Sequence, residues 1–171
     1  MNINDFRSEK SSIKTNGVST QLPENPIYFK QMNIVEIVKI PNQKPDIEQV
    51  ISVTVDPKIT SIRVIDTVCA KSYEGQLLSG KKLILELKLE QKITYVAKYE
   101  DQPVHAAHYE EVMRSVFVIV PKEINKVPIE RLLKANKLKV TPYIEDIYVE
   151  QKDKRRVLKN ITLLIDVTTT C

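Results

Sequence analysis

The chain has 171 residues, 42% of them hydrophobic and 28% charged, with a formal net charge of +4. That balance excludes a disordered tail and allows one domain with a substantial core. Glycine occurs three times, at Gly17, Gly75 and Gly80, and neither GxGxxG nor GxxxxGK(S/T) is present, which excludes the common phosphate-cradling loops.

Residues 1–25 read as a polar N-terminal arm. They are rich in Asn, Ser, Thr, Lys and Gln, and their few large apolar groups are Ile3, Phe6, Ile13, Val18 and Leu22. Such a segment buries little by itself, but it can add as a strand to a neighbouring subunit's sheet edge. Its opening, MNINDFRSEKSS, has charges and no apolar stretch of a secretory signal. No apolar run approaches the ~20 residues of a membrane helix. Synthesis in the cytoplasm without a signal peptide is therefore expected.

From Pro26 the composition changes. Residues 27–40, IYFKQMNIVEIVKI, are β-branched and aromatic and end at Pro41, as a strand would. VISVTV (50–55) alternates and is expected to stop at Asp56-Pro57, with ITSIRVIDTV (59–68) resuming the pattern. Cys69 follows in the apolar run VIDTVCA and reads as a buried thiol. Residues 82–99 give the clearest signal. Leu83, Leu85, Leu87, Leu89, Ile93, Tyr95, Ala97 and Tyr99 share odd positions, broken only by Gln91, and the even positions are largely charged. Apolar residues at period 2 face one side of a sheet, whereas on a helix they would scatter around the cylinder. VMRSVFVIV (112–120) predicts a further strand, and PIERLLKANK (128–137) the one helix, with Pro128 at its first position. YIEDIYVE (143–150) returns to extended structure. The cluster Lys152, Lys154, Arg155 and Arg156 reads as a solvated turn rather than a nucleic-acid or lipid patch. In the closing strand, 157–167, Val157, Ile161, Leu163, Ile165 and Val167 alternate with Leu158, Asn160, Thr162, Leu164 and Asp166. The expected fold is mainly β: an antiparallel β-sandwich of about seven to nine strands with one short helix and an extended N-terminal arm. The domain spans 26–168, and 169–171 form a short tail ending in Cys171.

HAAHYEEV (105–112) contains both histidines of the chain and is its candidate metal site. A zinc or iron site needs three or four converging ligands. On a helix His105, His108 and Glu111 would converge. In an extended segment residues three apart point to opposite faces. The flanks are strands, so the stretch reads as a structural connection. No GxSxG elbow occurs. Carboxylates alternate along strand faces, and the tyrosines are scattered. The expectation is no catalytic residue, no metal and no cofactor, and hence no enzyme.

Several ordered stretches resemble the SPOCS domain of spore coat proteins from clostridial spore-formers. They are Ile40 to Gln49 (IPNQKPDIEQ), Leu78 to Leu83 (LSGKKL), Ile93 to Ala97 (ITYVA), Val104 to Tyr109 (VHAAHY) and VTPYIEDIYVE (140–150). The resemblance covers roughly residues 25–167 and implies a non-catalytic spore-surface protein of coat, exosporium or appendage. Assembly factors of that family carry more than one such domain and a peptidoglycan-binding-like module. This chain has one domain, which implies a small building block. The expected partner is another copy, in a homo-oligomer or polymer held by β-sheet contacts and the arm, with Ile3, Phe6, Ile13, Val18 and Leu22 as contact residues and Cys171 forming interchain disulfides. Other spore coat proteins are further candidate partners, and the alternative role is a non-polymerising adaptor for a coat morphogenetic partner. Neither nucleic acid nor membrane is expected as a partner.

Overall fold

The computed structural model describes residues 13–71, 73, 75 and 79–170, with backbone alone at 111 and 112. Among them the elements run β1 (Lys14–Asn16), β2 (Tyr28–Lys39), β3 (Ile47–Asp66), β4 (Lys81–Ala97), β5 (Val104–Val120), β6 (Glu123–Ile124), β7 (Val127–Pro128), α1 (Ile129–Lys134), β8 (Leu138–Gln151) and β9 (Arg156–Thr169). Two sheets form the sandwich, in the orders β1-β3-β4-β5 and β2-β9-β8, and β6-β7 is a separate hairpin. Every pairing is antiparallel except β1 with β3. The chain is thus the mainly β sandwich with one short helix that its alternation predicts.

The central strand of each sheet sets the core. In β4, Leu83, Leu85, Leu87, Leu89, Ile93, Tyr95 and Ala97 are fully buried on one face, and Gln91 lies on that face with them. In β9, the facing series is Val157, Ile161, Leu163, Ile165 and Val167. Removing these side chains from water is the main favourable term in folding, at about 25 cal/mol per Å² of apolar surface.

Three local expectations are corrected. First, Asp56-Pro57 does not end a strand, because β3 runs through it and pairs Pro57 with Leu89. Beyond β1, which reaches only Thr54, that side of β3 is an edge, where a missing N–H costs no ladder bond. Second, HAAHYEEV is not the connection between strands. It is the first half of β5, and the turn lies at 98–103. A register shift opposite Leu89/Gln91 lets β5 bury Ala107 before it and Val116, Val118 and Val120 after it. Third, the helix is shorter than 128–137. Pro128 is its N-cap residue, and Asn136 turns left-handed at φ 54. Lys137 N–H then reaches Leu132 O at 2.9 Å and Asn136 N–H reaches Leu133 O at 3.1 Å, a Schellman closure.

Candidate functional site

The described part of the arm packs on its own domain. Lys14, Thr15 and Asn16 pair in parallel with Ser52, Val53 and Thr54. Gly17 follows at φ 110, so close to β3 that a Cβ there would stand 2.0 Å from Val55 O. No other residue type fits that approach. Ser19 N–H donates to Ile144 O at 2.8 Å, and its hydroxyl accepts from Ile144 N–H at 3.0 Å, which ties the arm to β8 in the second sheet. Of the residues expected to make assembly contacts, Ile13 packs against the core, while Val18 and Leu22 are exposed. Ile3, Phe6 and Cys171 lie outside the described residues.

The histidines fall on opposite faces of β5. His105 stacks on Tyr95 with ring centroids 6.0 Å apart, and His108 is exposed. Among the described residues no group of three or more His, Cys, Asp or Glu could hold a metal ion. Cys69 is exposed, not buried as its apolar neighbours suggested. The strand has ended at Asp66, and the chain around Cys69, at φ 46, faces water.

The basic cluster does form the turn between β8 and β9, but Arg155 in it is not solvated. It bridges two parts of the chain. Its guanidinium donates to Lys44 O at 2.7 Å, Pro41 O at 2.9 Å and Asp46 Oδ1 at 3.1 Å, clamping the loop between β2 and β3. Asp153 shapes the turn by accepting from the N–H groups of Arg155 and Arg156, both at 2.8 Å. Lys154 hydrogen bonds to Asp46, and with Arg155 it holds that carboxyl below its ordinary value. Gln151 adds a side-chain bond across the same seam, its Oε1 accepting from Val50 N–H at 3.0 Å.

Between the sheets lies a second polar cluster. Lys159 on β9 and Glu36 on β2 are direct cross-strand partners whose side chains point inward among apolar neighbours. Lys159 is 0% exposed, and its Nζ lies 3.5 Å from Glu36 Oε1. The same oxygen accepts a 2.8 Å hydrogen bond from Nε2 of Gln91, on β4 in the opposite sheet. Arg114 Nη2 approaches Glu36 Oε2 at 3.6 Å. Tyr109 lines the cluster with its ring 5.8 Å from Lys159 Nζ, and its hydroxyl donates to Lys39 O at 3.0 Å. Burial pushes the Tyr109 phenol up to about 12 and the Lys159 amine down to about 8, with Glu36 opposing the latter shift. Among the described residues, Lys159 Nζ and Gln91 Oε1 are buried without a hydrogen-bond partner. Lys159 escapes a reading that tracks apolar alternation, because it is the one charged residue in an otherwise apolar face of β9, and Glu36 shares its face of β2 with Lys30 as well as apolar residues. Gln91 alone was visible, as the break in its series.

Residues 46–152 match the model of the SipL, SPOCS domain family, more than half of the chain. The chain belongs to the SPOCS-domain family. Its membership makes it a sporulation-related protein. The matched span runs from the start of β3 through the end of β8. The folded unit is larger, because β9 is the middle strand of the three-stranded sheet and β2 its edge. No curated protein and no solved structure matches the chain. Among the described residues no helix is long and apolar enough to cross a membrane.

Proposed function

We propose that this SPOCS domain is a non-catalytic structural subunit of the spore surface, in coat, exosporium or appendage, which self-assembles by exchanging its N-terminal strand between copies. The observation that carries this reading is the arm's mode of attachment. β1 pairs with β3 through only three residues and in parallel, the weaker ladder geometry. A strand so short detaches at little cost, and the identical edge on a neighbour can receive it. The arm and its acceptor edge are different patches of one molecule, so the exchange is heterologous and extends head to tail. Exposed apolar side chains on the outer face of the three-stranded sheet, Val35, Ile37 and Tyr148, add surface for contacts between such copies.

Negative-stain microscopy of the purified full chain tests the proposal, beside a variant lacking residues 1–25. The expected result is filaments or lattices from the full chain and none from the truncated one. Polymers unchanged by the deletion would remove the arm's role. A full chain that stays monomeric at high concentration in light scattering would replace self-assembly with the adaptor role.

A further inference from the structure

The Lys159, Glu36 and Gln91 cluster has the parts of an intramolecular amide-forming centre. An amine nucleophile, a carboxamide and a carboxylate that can carry a proton between them meet in the interior of the sandwich. Glu36 Oε1 is 3.5 Å from the Lys159 amine and 2.8 Å from the Gln91 amide nitrogen. One oxygen therefore touches both the nitrogen that would attack and the nitrogen that would leave. The two nitrogens are no farther apart than the sum of those contacts. Among the described residues the buried carbonyl oxygen of Gln91 has no hydrogen-bond partner, and neither has the lysine nitrogen, so neither atom is held in a competing hydrogen bond there.

We propose that Lys159 and Gln91 condense to a covalent isopeptide bond that joins β9 of one sheet to β4 of the other. The neutral amine Nζ adds to Gln91 Cδ, and Glu36 takes the proton that the nitrogen sheds. The tetrahedral adduct then collapses. The Cδ–Nε2 bond breaks, Glu36 returns the proton to Nε2, and ammonia leaves. One C–N bond forms and one breaks, so the step is redox-neutral and needs no co-reactant. Three features make a normally inert carboxamide reactive here. Desolvation keeps a fraction of the lysine neutral, on the order of one in ten at pH 7 for an amine titrating near the value given above. Holding the partners in one place converts a bimolecular step into a unimolecular one. The dry interior excludes water as a competing nucleophile and strengthens the stabilisation of charge in the adduct. Arg114, 3.6 Å from Glu36 Oε2, holds the carboxylate in place as the proton acceptor.

Intact-mass spectrometry of the purified full chain, incubated at pH 8, decides the matter. The expected mass is about 17 Da below that of the sequence, the loss of one ammonia when an amine nucleophile displaces an amide nitrogen. Tandem spectra should show one branched peptide containing both Lys159 and Gln91. A Glu36→Gln variant, checked for folding by circular dichroism, should keep the full mass. An unshifted mass in the wild-type chain overturns the proposal whatever the variants do. A mass loss that maps to a Lys159–Glu36 link, or one that persists in Glu36→Gln, overturns it as well. The test does not depend on self-assembly, because a monomeric chain gives the same mass reading.

Discussion

Arg155 and Lys159 stand four residues apart on one hairpin, yet their surroundings are opposites. Arg155 is at the rim, where two loop carbonyls and the Asp46 carboxylate occupy its donors. Lys159 is in the interior, with one carboxylate at 3.5 Å and no hydrogen bond among the described residues. A charge held by several acceptors at the edge of water stabilises a fold, because its donors are satisfied and little desolvation is required. A buried ion pair with loose geometry gains little over apolar residues of the same volume and can be replaced by them without loss. By that rule Arg155 is structural. Lys159 is an inconsistency, of the kind that marks functional sites in sequences otherwise locally consistent.

The largest effect is expected from breaking the interior member. If Lys159 is bonded to Gln91, the link closes a loop of roughly 70 residues. By the chain-entropy argument used for disulfides, such a closure is worth about 4 kcal/mol. Lys159→Met should lower stability by that amount in urea unfolding. A Lys159→Met chain as stable as the wild type, or more so, would remove the cross-link from the comparison.

Arg155→Ala comes next. It strips Lys44 O, Pro41 O and Asp46 of a charged donor in one step. The expected loss is about 2–3 kcal/mol, since hydrogen bonds to charged groups are worth more than neutral ones and the partners are left partly buried. The urea midpoint measures it. A change under about 0.5 kcal/mol would place Arg155 with ordinary surface substitutions.

These two residues also show how far the sequence could be read. The central strand β4 was legible because its alternation is nearly unbroken, and long alternation has one structural meaning. The run through Pro57 was not, since whether a proline ends a strand depends on whether a neighbour needs its N–H, a fact of topology. Cys69 was misread because burial of a short apolar run depends on where the strand stops. The basic cluster was read correctly as a turn, but the acceptors of Arg155 lie more than 100 residues away in sequence. Lys159 was harder still. A charged residue in register with apolar ones leaves no periodic signal of its own, and its partners come from β2 and β4.

The smallest effects lie in the pH profile, and they test both members at once. On the acid side, hydrogen bonding and charge from Lys154, then Arg155, hold the Asp46 carboxyl below its ordinary value. A carboxyl lowered on folding contributes stability that is present above its unfolded value and lost as pH falls through the folded one. The unfolding midpoint should therefore decline below about pH 4, the ordinary carboxylate range, and the decline should shrink in Asp46→Asn. An undiminished decline in that variant would detach Asp46 from the clamp's acid sensitivity. On the alkaline side the sign reverses. A free Lys159 amine titrates near 8 in the folded chain, lower than in the unfolded one. Between those values the unfolded chain binds the extra proton, so stability should rise with pH from about 8 to about 10. An amide nitrogen does not titrate in that range. The cross-linked protein should show no such rise, whereas the Glu36→Gln chain, which keeps its free amine, should show it. A rise of equal size in both would mean that Lys159 remains an amine in the wild-type protein. That contrast ties the alkaline limb to one bond, while the acid limb reports only on the clamp.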